Sequence, residues 1–105
     1  MAEIFRHDKI ELNEKLLLGA ELGDISKIKE ALEKGADVNA RDDYGKTALM
    51  YAAENGKEEA VKILLEKGAD VNAKDKDGKT ALMYAAEYGK EEAVKILLEK
   101  GADVN

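Results

Sequence analysis

Residues 42–74 read DDYGKTALMYAAENGKEEAVKILLEKGADVNAK, and at Asp75 the same text starts again, 33 residues on. Setting 42–72 against 75–105 compares 31 positions, of which three differ: Asp43 against Lys76, Tyr44 against Asp77, and Asn55 against Tyr88. A looser copy precedes both. LLLGAELGDISKIKEALEKGADVNAR (residues 16–41) falls on LMYAAENGKEEAVKILLEKGADVNAK at the same offset. In a sequence of this period each unit is one supersecondary element that cannot bury its apolar face alone, so stacked neighbours share a continuous core. The chain is read as three such units: residues 8–41, 42–74 and 75–105, preceded by a flexible lead-in over residues 1–7.

Within each full unit the pattern predicts two short helices. D-x-x-G at 42–45 and 75–78 is turn chemistry. Thr47 and Thr80 then stand where an N-cap hydroxyl satisfies the free N–H groups of a first helix, with Leu49, Ala52 and Ala53 as its buried stripe. Gly56 and Gly89 end that helix. A second helix over 58–67 or 91–100 turns Ala60, Val61, Leu64 and Leu65 (Ala93, Val94, Leu97 and Leu98) inward. On its outer face Glu58 and Lys62, like Glu91 and Lys95, are spaced for i,i+4 pairing. In GADVN, which closes each unit, the Asn is expected to bond its own backbone. Unit one reads as a helix pair without the D-x-x-G turn. Ile10, Leu12, Leu16, Leu17 and Ala20 form the first stripe, Asp24 caps the second helix, and Gly35 ends it.

These units resemble the ankyrin repeat. The resemblance rests on D-x-x-G-K-T-A-L-M-Y-A-A-E-x-G followed by E-E-A-V-K-I-L-L-E-K-G-A-D-V-N-A at 33-residue spacing, against the family's T-P-L-H-x-A-A and G-A-D-V-N-A. It implies an all-α solenoid of stacked helix-turn-helix repeats with β-turn fingers, the first unit resembling an N-terminal capping repeat. Two positions depart from the family pattern: its Pro is Ala48 and Ala81 here, and its His is Met50 and Met83. Ala is an excellent helix former, so the first helix survives the change. Loss of the His removes a polar link between units and leaves Met to fill the space by packing.

Composition excludes several classes of function. A net charge of −6 opposes nucleic acid and anionic membrane surfaces, where affinity comes from Lys and Arg on phosphate. Cysteine is absent, so no disulfide, thiol nucleophile or Cys-based zinc site exists. With a single His, His7, there is no second imidazole to share a metal and no base to activate a hydroxyl nucleophile. Gly45-Lys46-Thr47 and Gly78-Lys79-Thr80 look like the tail of a phosphate-binding loop, but Ala40 and Ala73 stand where its first Gly must be. A calcium loop centred on Gly78 would need Asp at Ala73 and Glu at Tyr84. Adjacent carboxylates such as Glu58 and Glu59 diverge on an exposed helix. No enzyme, cofactor or metal is expected, and the absence of a secretory signal or apolar span favours the cytoplasm.

The three differences between the near-identical units are the informative ones. Two lie at the turn tip and the third at the exposed end of the first helix. In the family this chain resembles, those surfaces line the concave face and meet the partner. The expected function is a protein-interaction scaffold whose partner surface comprises Asp43, Tyr44, Lys46, Asn55, Lys76, Asp77, Lys79 and Tyr88, exposed Tyr being enriched at interfaces. The alternative is an idealised or engineered structural repeat with no dedicated partner, because strong helix formers, Gly at every helix end and the lack of Pro agree throughout. Unit three keeps the internal apolar complement, with no polar substitution marking it as a cap. It is therefore expected either to continue in a longer array or to self-associate through that end. Leu64 and Leu97 hold matching buried positions, but Leu97 has a neighbour on one side only, so Leu64→Ala is expected to cost roughly 2–5 kcal/mol and Leu97→Ala visibly less.

Overall fold

In the computed structural model, residues 2–104 are described, with side chains from Lys9 to Val104. Six helices follow in order: α1 (Ala2–Leu22), α2 (Ile25–Glu33), α3 (Ala48–Glu54), α4 (Glu58–Glu66), α5 (Ala81–Glu87) and α6 (Glu91–Glu99). Among the described residues the β pairing is a single bridge, Arg41 to Thr47, at the base of the first finger. The fold is an all-α repeat stack. The first helices α1, α3 and α5 form an inner layer in which α3 lies between its neighbours, and α2, α4 and α6 form an outer layer. The molecule measures 45 × 27 × 20 Å.

Local chemistry sets the helix ends. Asp24 accepts from Lys27 N at 3.1 Å, and Thr47 and Thr80 accept from Met50 N and Met83 N. Each cap thereby satisfies one donor that the first turn leaves over. Gly23, Gly56 and Gly89 end the inner helices at positive φ, where a side chain would be strained. The interior is built from small and branched residues. Leu16, Ile28, Leu49, Met50, Val61, Leu64 and Leu97 are fully enclosed, and the alanines at 48, 52, 53, 60, 81, 85 and 93 let the helices approach closely.

The structure corrects several expectations. Leu97 is as fully buried as Leu64 although its unit has a neighbour on one side only among the described residues. Ile63 and Ile96 are buried, while Leu65 is only half-buried and Leu98 is exposed, so the stripe is rotated toward the Ile positions. Ile10 is exposed and Leu16 and Ala20 carry the burial of α1. Lys95 lies 3.7 Å from Glu92, one turn position short of the expected Glu91. Asn39 and Asn72 do not cap their own loops. That role falls to Asp37 and Asp70, whose carboxylates accept from Asn39 N and Asn72 N.

The asparagines instead tie units together. Asn39 Oδ1 accepts from Asp70 N at 2.7 Å and its amide donates to Gly68 O, and Asn72 does the same to Asp103 N and Gly101 O. Unit one enters this ladder from α1. Asn13 accepts from Asp37 N and Lys9 donates to Gly35 O, two side chains supplying what one Asn supplies elsewhere. Helix α1 is drawn from Ala2, earlier than Lys9 where the apolar pattern begins; the lead-in side chains, including His7, lie outside the described residues.

Candidate interaction surface

Each finger is pinned at its base by one aspartate. Asp42 Oδ1 accepts from Tyr44 N and Lys46 N, both at 2.9 Å, and its Oδ2 accepts from the hydroxyl of Tyr51 on α3. Asp75 repeats this with Asp77 N, Lys79 N and Tyr84 on α5. Burial pushes both carboxyls up, but the tyrosine and backbone donors and the nearby Lys46 and Lys79 charges prevail and hold them below the usual carboxylate range. The two hydroxyls move the other way. Burial, then the bond to a carboxylate, pushes Tyr51 and Tyr84 well above the usual phenol value. At neutral pH the carboxylates stay ionised and the phenols protonated, which makes each pair a clamp and a poor acid-base couple.

The finger lysines fold back onto the inner helices. Lys46 Nζ lies 2.5 Å from Glu54 Oε1 and stands over two rings, Tyr51 of its own unit at 4.2 Å and Tyr84 of the next at 4.6 Å. Lys79 lies 3.0 Å from Glu87 and 5.3 Å from the centre of the Tyr84 ring. Its hydrogen bond to Glu87 and that carboxylate's charge raise the Lys79 ammonium above the ordinary lysine value. Neighbouring fingers are joined as well. Lys76 N donates to Tyr44 O at 3.0 Å, and Arg41 bridges Gly45 O and Lys74 O.

Lys46 and Lys79 thus reach Glu54 and Glu87, the last residues of α3 and α5, which Asn55 and Tyr88 follow directly. Tyr44 is 72% exposed and Tyr88 51% exposed, and Asp43, Asn55, Lys76 and Asp77 are also exposed. Asn55 donates its amide to Tyr51 O at 2.8 Å. Lys46 and Lys79 are only half-exposed and already paired, so they shape this surface more than they reach from it.

Reading by difference could not find Tyr51, Tyr84, Glu54 or Glu87, because they are identical in the two units. A usable signal was present: Asp42 and Tyr51, like Asp75 and Tyr84, recur nine residues apart. Leu18 and Leu22, both exposed, stand one period before Tyr51 and Asn55 and extend the inner-helix columns into unit one.

Shallow grooves of about 280 and 330 Å³ lie beside Gly89 and the start of α6. Among the described residues no group of three His, Cys, Asp or Glu could hold a metal, and no helix is long and apolar enough to cross a membrane. A sequence profile described as Ankyrin repeats (3 copies) matches residues 16–105. Two proteins of Rickettsia felis named as ankyrin repeat proteins are similar. One is 38% identical over 52 residues, covering 50% of this chain and 82% of the relative; the other is 41% identical over 45 residues, covering 43% and 68%.

Proposed function

From its membership of the ankyrin repeat family, a family of protein-interaction modules, we propose that this chain binds a protein partner through its fingertips and the ends of its inner helices, without catalysis. Tyr44, Asn55, Asp77 and Tyr88 make the direct contacts, with Asp43 and Lys76 beside them. Lys46 and Lys79 hold the fingers to the helices. One observation carries the reading: two large aromatic side chains stay solvent-exposed on a surface whose supporting residues are all hydrogen-bonded or ion-paired. A preorganised surface gives up little freedom on binding, and Tyr gains much contact area for two torsions.

Matched baits test it: the full chain and its Tyr44→Ala/Tyr88→Ala double variant, both checked for helix content by circular dichroism. A protein captured by the first and bound at least about tenfold more weakly by the second supports the assignment. A partner held equally by both would place the contact elsewhere. The near-identity of units two and three keeps a second reading in view, an idealised repeat with no dedicated partner, and specific capture by neither bait favours that one.

A further inference from the structure

Tyr84 is held differently from Tyr51, although the helices that carry them have the same sequence. Lys79 of its own finger and Lys46 of the finger before it both lie over the Tyr84 ring, at 5.3 and 4.6 Å. Tyr51 has Lys46 of its own finger at 4.2 Å, and among the described residues no second cation lies over its ring. The exposures agree. Tyr84, with an inner helix on one side only, is 8% exposed, whereas Tyr51, between α1 and α5, is left half-buried.

The missing cation follows from how unit one is built. By the 33-residue period, Lys9 to Asn13 stand where Asp42 to Lys46 form the finger of unit two, but they are turns of α1. Asn13 holds the place of Lys46, and its side chain is engaged by Asp37 N. The gap is set by α1 itself.

The rest of the seat for a lysine is present. Glu21 stands one period before Glu54 and Glu87, the carboxylates that hold Lys46 and Lys79; it is exposed, and among the described residues no ion pair reaches it. Burial and the Asp42 bond do most to raise the Tyr51 phenol, and the Glu21 charge adds to them, so this carboxylate acts on the ring across the gap. Leu18, 45% exposed, replaces the tyrosine of the unit, and Leu22, 58% exposed, borders it. The gap thus offers a carboxylate, one side of an aromatic ring and an apolar floor. An ammonium on an alkyl stem meets all three, as Lys46 does one unit on. An anion would be repelled by Glu21, and a wholly apolar side chain would cover that carboxylate without pairing it.

We infer that the gap between Glu21 and Tyr51 receives a lysine side chain of the protein partner, which completes the row begun by Lys46 and Lys79. The inference rests on the reading that this surface binds a protein. It adds that the partner is basic where it faces unit one, with an apolar residue beside the lysine to cover Leu18 and Leu22. The net charge of −6 draws such a partner in.

Because the sequence has no cysteine, one introduced thiol can present the cation without any partner. Leu18→Cys, a turn from Glu21, is equilibrated with equal amounts of the disulfides of cysteamine, which carries an ammonium, and of mercaptoethanol, its neutral analogue. Mass spectrometry reads the ratio of the two adducts. Lys62→Cys, on α4 near Glu58, Glu59 and Glu66 and on a helix without aromatic residues, gives the ratio for carboxylates alone. The ratio at Leu18→Cys is expected to exceed this control at least about threefold, to fall to it when Glu21→Gln or Tyr51→Leu is added, and to survive Tyr51→Phe, which keeps the ring. Circular dichroism checks each fold. A ratio equal to the control, or one kept in Glu21→Gln and so owed to Glu14 on the preceding turn, would overturn the proposal. In the second arm, a protein captured by the full chain is expected to bind Glu21→Gln at least about tenfold more weakly. Equal binding overturns the inference and leaves the Tyr44 and Tyr88 assignment standing. A cysteamine preference with no protein captured by the full chain counts against the partner reading itself, and with it against the partner's lysine.

Discussion

Asp42 accepts three hydrogen bonds, from Tyr44 N, Lys46 N and the Tyr51 hydroxyl, and the last is the one that joins finger to helix. Tyr51→Phe should cost about 1.5–2 kcal/mol in urea melts, the lower part of the range for bonds to a charged group, because the carboxylate keeps its backbone donors. The same pair makes stability depend on pH at both ends. Asp42 and Asp75 are held low when folded, so their contribution is complete above the unfolded value near 3.9 and is lost as pH falls through the folded one. Tyr51 and Tyr84 are held high, so the folded chain keeps protons that the unfolded chain releases near pH 10. Their contribution is complete below about pH 10 and falls above it. Urea midpoints between about pH 9 and 11 should therefore drop less in Tyr51→Phe/Tyr84→Phe than in the parent, and parallel slopes would show that the clamp does not couple to titration. Of this cluster the sequence revealed the caps and turns, whose chemistry is local to four residues. The clamp stayed hidden, since it joins a turn to the middle of a helix nine residues away and does not vary between units.

The inner helices α3 and α5 have seven residues each, too few to persist alone in water, so they exist because neighbours cover them. Periodicity gave their number and order but left the depth of burial open, which depends on what lies against each face. Met50 and Met83 make the point: the same residue in the same local text is enclosed in one unit and exposed in the other. Met50→Ala should cost roughly 2–5 kcal/mol and Met83→Ala less than half as much, whereas Leu64→Ala and Leu97→Ala, both fully buried, should cost similar amounts. Denaturant melts of the four variants decide this, and a Met83 loss equal to that of Met50 would mean its face is covered in solution. The glycines offer a finer comparison. Gly56→Ala and Gly89→Ala each place a side chain at positive φ, at roughly 1–2 kcal/mol, but only the first also displaces a lysine stem. That stem can swing aside, so the excess at Gly56 should stay under about 1 kcal/mol; a larger one would show that Lys90 packing is a major part of the junction.

At the scale of the whole stack, stability is approximately the sum of what each unit contributes and what each junction adds. The junctions were the least legible part of the sequence. Asn39 and Asn72 read as loop residues bonding themselves, yet they bond the following loop, and Lys46 read as a contact residue, yet it stands between tyrosines of two units. Such links need two copies of the text held at the right distance, and no window of one copy contains them. They also predict a gradient of local stability. Helix α4 belongs to a unit with junctions on both sides, and α6 to a unit joined on one side among the described residues. In dilute solution, below any self-association, amides of α6 should open at lower free energy than those of α4 in native-state hydrogen exchange. Asn72→Ala, which cuts the last rung of the ladder, should widen that gap while leaving α2 unchanged. Equal opening energies in α4 and α6 would mean that junctions outweigh the units so far that the stack opens only as one block.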